Sequence, residues 1–442
     1  MVNGLLDAFR LFYHRRWLSE KKLQRYQLKK LNQLIQYAKK HSEYYQQVIP
    51  FDTISSFDQF EEIGLLNKQR LMENFDTINT LGYQLEDVME YALSKEQRKD
   101  YYGYYQDRVV VGLSSGTSGN KGVYLTDRSL TKKLPFVFLA RSGIPLKLLP
   151  YRISFFLRVF SQGFQDINSP LIKLQYIHTM SESKVMIEKI RSQRSNIIMG
   201  PPSLLRKLLP YKDELKKTVK LIVSYAEVLE KAQKMEFERE FGAKVIEIYQ
   251  ASEGQMASAC SYGNLHINED LVYVELFDEH GRQVNEPNKV ASMIITNLVN
   301  YVQPLIRYQM NDMIRLGHPC GCGSRFRVID TIVGRSDDVF YFQNKQSQRV
   351  PIYPDILSRW IITATDNLLE FQVIQKKDGD MFIEMQCKDE QSFDIEAHKI
   401  RKNILEHARE YNVMIDVECK QRSFDQNKSS LKHKRFIRQK GD

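Results

Sequence analysis

The chain has 442 residues, 42% of them hydrophobic and 27% charged, and a formal net charge of +10. That length and balance suit a folded protein of more than one domain with a sizeable core, and they exclude a disordered, fibrous or low-complexity polypeptide. Asp7 and Arg10 interrupt what would be the apolar core of a signal peptide, Lys147, Arg152 and Arg158 interrupt the most apolar later stretch, and five cysteines are too few for a disulfide framework, so secretion by that route and a membrane span are not expected and a cytoplasmic location is.

The positive excess sits at the ends: residues 1–50 hold ten Lys and Arg against three acids, and residues 427–442 hold six against one. Without a nucleic-acid motif, this reads as a solvated basic surface with some attraction for anionic nucleotides. Within 18–40, Leu28, Leu31, Ile35 and Ala38 recur three and four apart between Lys and Arg, which predicts an amphipathic helix packed on the body. Tyr101, Tyr102, Tyr104 and Tyr105 follow as a packing cluster ahead of a β-branched run, Val109 to Val111, that predicts a buried strand.

That strand empties into a loop made almost wholly of Gly, Ser and Thr. Gly112, Gly116, Gly119 and Gly122 allow close backbone approach to a ligand, Ser114, Ser115, Thr117 and Ser118 can turn hydroxyls toward anionic oxygens, and Lys121 adds a mobile cation. The composition suits phosphate. The Walker spacing is absent, because Gly116 and Gly119 are followed by Asn120-Lys121-Gly122, which disfavours a P-loop NTPase. Gly112-Leu113-Ser114-Ser115-Gly116 matches the nucleophile elbow of a serine hydrolase with Ser114 as nucleophile, and a glycine-rich loop with no ligand is a third reading.

Alternating strand and helix signals then point to a βαβ arrangement. Strands are predicted at Asn196 to Met199, Leu221 to Ser224 and Lys244 to Tyr249, with a helix starting after Gly200-Pro201-Pro202 and another over 230–241, stopped by Gly242. Open parallel sheets bind ligands at the carboxyl ends of their strands. Ser252 and Glu253, just past a strand end, can therefore hold a divalent cation against phosphate oxygens, the alternative being an exposed turn glutamate. Cys260, His266, Cys320 and Cys322 offer the donor set of a closed structural zinc site, although neither half has the usual Cys-x2-Cys spacing and buried thiols beside a surface histidine account for them equally well. After residue 339 the pattern becomes a hairpin around Lys377-Asp378-Gly379-Asp380, a helix near 392–409 and a strand from Val413 to Glu418, which is a compact α+β unit.

Five stretches in order resemble the adenylate-forming superfamily. Ser115-Gly116-Thr117-Ser118-Gly119-Asn120-Lys121-Gly122 is similar to its phosphate-binding loop, and Tyr249-Gln250-Ala251-Ser252-Glu253 to its Tyr-Gly-x-Ser/Thr-Glu motif. Pro304 to Asp312 resembles Pro-x-x-Arg-Tyr-x-x-Gly-Asp, with Asn311 where glycine is usual, in what reads as a turn. Gly334-Arg335-Ser336-Asp337-Asp338 resembles the Gly-Arg-x-Asp-Asp that ends the large domain, and Lys428 to Arg435 resembles the Ser-Gly-Lys-x-x-Arg ending, with Leu431 for glycine. The ordered set of Ser252-Glu253, Cys260-x5-His266, Pro304 to Asp312, Cys320-x-Cys322 and Gly334 to Asp338 looks like the phenylacetate-CoA ligase branch. Val339 to Pro354 fit better a sub-branch related to deazaflavin-cofactor adenylyltransferases and capsule-associated adenylating proteins.

The resemblance implies an α/β chain with a large adenylation domain of mixed sheets and flanking helices, residues 1–334, and a small mobile α+β domain, residues 335–442, joined by a hinge at Asp337. It implies that ATP is held by Ser114 to Gly119, Lys121, Gly122, Tyr249, Ser252, Asp312 on the ribose and Arg335, with magnesium on Glu253. Lys432 is the implied catalytic lysine, with Lys434 the fallback, and Lys121 assists it. The acid pocket falls around Gly200, Pro201, Tyr225, Ala226 and Glu227, whose mixture of aromatic and small side chains suits an aryl or medium acyl group. The expected partners are the acid, ATP and coenzyme A, with no nucleic acid and a homodimer left open. Three alternatives stand beside this: adenylyl or acyl transfer to a hydroxyl, amine or carrier in cofactor or surface-polysaccharide synthesis, a hydrolase using Ser114, and a binding protein on a decayed fold.

Overall fold

A computed structural model describes residues 2–98, 100, 102–114, 122–157, 162–179, 181–376, 379–424 and 435–439, without the side chains of 2–5 and 163. The chain forms two compact units, one of residues 1–289, 293–310 and 316–330, the other of 290–292, 311–315 and 331–442.

The first unit opens with two helices, α1 (Val2–Trp17) and α2 (Glu20–His41). The helical periodicity of α2 buries Leu23, Leu31, Leu34, Ile35 and Ala38 and turns its lysines outward. Strands β1 (Val109–Leu113) and β2 (Val123–Asp127) pair antiparallel with Leu113 opposite Val123, so residues 114–122 connect a hairpin. Val109, Val123 and Leu125 anchor that hairpin against Phe75, Val88 and Val302.

The larger sheet takes in β3 (Tyr151–Leu157), β4 (Ile172–His178), β5 (Ile197–Gly200), β6 (Leu221–Ser224), β7 (Lys244–Ala251), β8 (Gly254–Ala259), β9 (Leu265–Ile267), β10 (Val272–Phe277), β11 (Val290–Asn297), β12 (Tyr308–Leu316) and β13 (Val328–Arg335). Its order is β10-β11-β12-β13-β9-β8-β7-β6-β5-β3-β4. Strands β4, β3, β5, β6 and β7 run parallel. Ile198, Ile222 and Val245 pack on one face and Ile197, Val223 and Ile246 on the other, which is why these strands read as unbroken apolar runs. The helix Lys231–Phe241 stops where Gly242 takes φ +61°, a conformation that favours glycine. Chain direction reverses at Ser252–Glu253, after which β8 runs antiparallel to β7.

The second unit carries β14 (Phe340–Asn344), β15 (Arg349–Ile352), β16 (Leu368–Gln375), β17 (Met381–Cys387), β18 (Val413–Met414), β19 (Val417–Gln421) and β20 (Phe436–Arg438) in sheets of order β15-β14-β18 and β19-β17-β16-β20. Helices Pro354–Ile362 and Phe393–Glu410 cover a core that includes Trp360, Phe371, Ile383, Ile400 and Phe436. The expected hairpin is β16–β17. The expected strand from Val413 to Glu418 divides, because Val413 pairs with Asn344 and Val417 with Met381, in different sheets.

Candidate functional site

The connection 114–122 is clamped at its base. Ser114 N–H donates to the Gly122 carbonyl at 2.9 Å, and Gly122 N–H donates to Ser114 Oγ at 2.7 Å. Residues 115–121, and with them Ser115, Gly116, Thr117, Ser118, Gly119 and Lys121, lie outside the described residues. Gly122 is a true close approach: a Cβ there would come within 3.1 Å of Lys68 Cε, 3.1 Å of the Tyr124 ring and 3.2 Å of Ser114 Oγ. Lys68 begins the helix Lys68–Glu73, held in place because Leu66 N–H donates to Arg307 O at 3.0 Å and Gln309 N–H donates to Leu66 O at 2.7 Å. A lysine side chain from the N-terminal region thus lies beside Gly122, at the base of the connection.

On β2, the buried Tyr124 hydroxyl lies 2.9 Å from Glu253 Oε1 and 2.9 Å from the Tyr308 hydroxyl. Burial, reinforced by the Glu253 charge, pushes the Tyr124 hydroxyl well above its ordinary range, so it stays a donor. Asn297 Nδ2 donates to the Glu253 carbonyl at 2.8 Å and fixes the turn. Glu253 is half-buried and Ser252 exposed, while Tyr249 is buried on β7. A carboxylate held by a tyrosine at a strand-end turn is a hard oxygen ligand that suits magnesium.

Gly200, Pro201, Tyr225, Ala226 and Glu227, the residues expected around an acid, lie at and just past the carboxyl ends of β5 and β6. Gly200 and Ser224 are paired at the ends of β5 and β6, and Ala226 follows with φ +67°. Ser203 donates to Glu227 through its N–H at 3.1 Å and its Oγ at 2.8 Å, tying the helix that follows Pro201 to the β6 loop. Tyr225 donates its hydroxyl to the Phe156 carbonyl and stacks at an angle on Phe155, 5.5 Å between centroids. Burial raises its hydroxyl well above the normal range. Ser224 Oγ is buried and has no hydrogen-bond partner among the described residues.

Asp312, Arg335 and Asp337 belong to the second unit. Arg335 Nε lies 3.3 Å from Asp337 Oδ1. Asn311 and Asp312 sit inside β12, where a turn was expected; the positive φ falls instead on Arg307, at +49°. That buried guanidinium is fixed by Glu275 at 2.8 Å and by the carbonyls of Glu61 and Ile63, so the motif's arginine is a structural clamp. Lys432 and Lys434 lie outside the described residues.

Cys260, His266, Cys320 and Cys322 do converge: their ligand atoms lie within 4.8 Å of one another. Cys260 Sγ is 3.7 Å from Cys320 Sγ, and Cys322 Sγ is 3.5 Å from His266 Nε2. His266 Nδ1 donates to Phe326 O at 2.8 Å, which leaves Nε2 bare toward the thiols, and burial lowers the ring to about 4, so it is neutral. Three thiols and a bare imidazole nitrogen fit a closed tetrahedral zinc site.

Ser114 lacks the setting of a nucleophile elbow. The elbow needs a strand-to-helix turn, and Ser114 opens a hairpin with its Oγ accepting from Gly122. Lys68, Tyr124 and Tyr308 had not been singled out for a role. Only Tyr308, inside the Pro304 to Asp312 motif, carried a sequence signal. Of the tyrosine cluster, Tyr105 packs edge-on to Tyr83 and Tyr91, 5.1 and 5.0 Å between centroids, whereas Tyr102 is exposed and Tyr101 lies outside the described residues. No described helix is long and apolar enough to cross a membrane.

No family model matches the chain. It is 25% identical over 213 residues to a phenylacetate-coenzyme A ligase of Aromatoleum evansii, a match covering 45% of this chain and 46% of that protein, so the chain spans about half the length of this relative. It is 22% identical over 379 residues to Protein CapK of Staphylococcus aureus, covering 79% of this chain and 75% of that one. Among solved structures, 2-hydroxyisobutyryl-CoA ligase in complex with 2-HIB-AMP superposes with a TM-score of 0.69 at 15% identity, covering 97% of this chain and 91% of that one. The chain has the fold of the acyl-CoA ligases of the adenylate-forming superfamily, and phenylacetate-coenzyme A ligases are among its sequence relatives.

Proposed function

We propose that the chain activates a carboxylic acid with ATP to an acyl-adenylate and then transfers the acyl group to coenzyme A. The observation that supports this is that the clamped base of the 114–122 connection, the Tyr124–Glu253–Tyr308 network and the strand-end residues Gly200 and Tyr225 belong to one compact unit. In the first step a carboxylate oxygen bonds to the α-phosphorus while the bond to the bridging oxygen breaks and pyrophosphate leaves. Negative charge grows on the departing group, and the loop's amides, hydroxyls and Lys121, with Lys68 at its base, are suited to hold it. Glu253, oriented by Tyr124, would hold magnesium, which supplies charge neutralisation on the phosphates when bound.

Asp312 and Arg335 are assigned to the ribose and phosphates, which orients the nucleotide for in-line attack. Lys432, with Lys434 the alternative, is assigned to the adenylation step. In this reading residues 335–442 move about Asp337, presenting that lysine for adenylation and withdrawing it when the coenzyme A thiolate attacks the acyl carbonyl and AMP leaves. Zinc on Cys260, His266, Cys320 and Cys322 would brace the sheet and take no part in the chemistry. In this reading the activity is cytoplasmic, where ATP and coenzyme A are at hand.

Incubation with ATP, magnesium and a panel of aryl and medium-chain acids tests the reading. Pyrophosphate release with one acid, and a coenzyme A thioester in the product mass spectrum, is the expected result. No pyrophosphate with any acid removes the proposal. A second reading sends the acyl or adenylyl group to an amine, hydroxyl or carrier instead of coenzyme A. Pyrophosphate release without a thioester supports it.

A further inference from the structure

Helix α1 is anchored on one side and bare on the other. Its inner face buries Leu11 with Ala140 and Leu271, sets His14 Nδ1 3.1 Å from Asp270 Oδ2, and sends Arg15 Nη2 to the Ser258 carbonyl at 2.8 Å. Its outer face carries Leu6, Phe9, Tyr13 and Trp17, spaced three and four apart and therefore on one stripe, with Phe12 beside them. All five are exposed, Phe9 at 68% and Trp17 at 55%. A bare stripe of this size on a firmly seated helix marks an interaction surface.

The surroundings of the stripe are basic. Arg10 and Arg16 flank it, and exposed Lys21, Lys22 and Arg25 follow on α2. Asp7, the only acid on α1, is already engaged by Arg10 at 3.0 Å and Lys133 at 3.5 Å. Arg16 lies 5.8 Å from the Trp17 ring centroid, an aromatic and cationic pair suited to the boundary between headgroups and acyl chains.

We propose that α1 lays its aromatic face on an anionic lipid bilayer, docking the protein at a membrane surface without crossing it. Rings and a leucine enter the interface, while arginines and lysines meet anionic headgroups. A second copy of the chain is a poorer occupant, because two-fold pairing of the stripe would set Arg10 and Arg16 against their own mates. The docking face is separate from the catalytic residues assigned above, so it stands whether or not that assignment does.

The full chain reports on the proposal through its own fluorescence. Of its two tryptophans Trp17 is exposed, whereas Trp360 is only 3% exposed. Phosphatidylcholine vesicles with and without phosphatidylglycerol are titrated into the protein, followed by tryptophan emission and co-sedimentation. The expected result is a blue shift and sedimentation with the anionic vesicles, weakened by salt. The double variant Phe9→Glu/Tyr13→Glu changes only exposed positions, and should lower partitioning by roughly tenfold or more for each ring lost while leaving the melting curve unchanged. Equal partitioning of the variant, an unshifted emission, or no preference for the anionic vesicles overturns the proposal. So does light scattering that finds a dimer abolished by the double variant, since the stripe then serves a second copy.

Discussion

Replacing Tyr124 by Phe isolates the contribution of one hydroxyl to the proposed magnesium site. Its single proton goes to Glu253 Oε1 at 2.9 Å, so the Tyr308 hydroxyl must donate into the Tyr124 oxygen, also at 2.9 Å. The substitution removes a hydrogen bond to a carboxylate, worth about 1.5–3 kcal/mol. Because Glu253 is half-buried, water restores part of that loss, and the folded state should lose about 1–2 kcal/mol. The larger effect falls on the carboxylate's aim: at about 1.4 kcal/mol per factor of ten, the magnesium concentration for half-maximal pyrophosphate release should rise about tenfold or more. The Tyr124 hydroxyl is held protonated by burial and by the Glu253 charge, so the effect should be the same across about pH 6–9. Tyr308→Phe keeps the bond to Glu253 and should shift the magnesium dependence much less. Initial rates against magnesium, with a thermal melt of each variant, are the assay. An unchanged magnesium dependence in a folded Tyr124→Phe protein refutes the role assigned to this network.

Lys68→Met should raise the KM for ATP by about tenfold, as loss of a charged contact to phosphate does, with the KM for the acid unchanged; equal changes in both count against a phosphate contact. Metal analysis should find one zinc per chain. Cys320→Ser should lose it and lower the melting temperature by about 5–10 °C with little loss of activity well below that temperature. Lys432→Ala should abolish adenylate formation yet spare thioester formation from preformed acyl-adenylate, and equal loss of both half-reactions rejects the assignment. Tyr151, pushed up to about 12 by burial, keeps its full contribution to stability below about pH 10, where the unfolded tyrosine is still protonated, and loses it as pH rises through 12. Urea melts at pH 9 and 11 should therefore show an alkaline loss that Tyr151→Phe reduces by about 1 kcal/mol.

What could be read from the sequence was set by neighbours along the chain. Ile197 to Gly200 and Leu221 to Ser224 were legible as strands because helices cover both faces of a parallel sheet, which demands unbroken apolar runs. Asn311 misled for the same local reason. Asn suits turns, but here a strand ladder decides its backbone, and the positive φ moved to Arg307, where Glu275 and two carbonyls hold a guanidinium in a conformation its own preference would avoid. Ser114 misled as well: five residues matched an elbow whose meaning depends on a following helix, and a strand follows.

The parts that stayed hidden are closures between distant segments. Tyr124 meets Glu253 and Tyr308 across 129 and 184 residues, and Lys68 reaches the loop from a helix with no motif of its own. The cysteine cluster shows how such closure comes about. Its two halves lack zinc spacing because neither is a complete knuckle; the pairing of His266 with Val328 in the β9–β13 ladder, and the bond from His266 Nδ1 to Phe326, bring the 320–322 segment against Cys260. Ligand spacing in sequence therefore carries information only when one turn supplies both donors. Where a sheet register supplies the second pair, the donor types alone carry the signal, and burial of a neutral imidazole nitrogen toward three thiols is what raises it above coincidence.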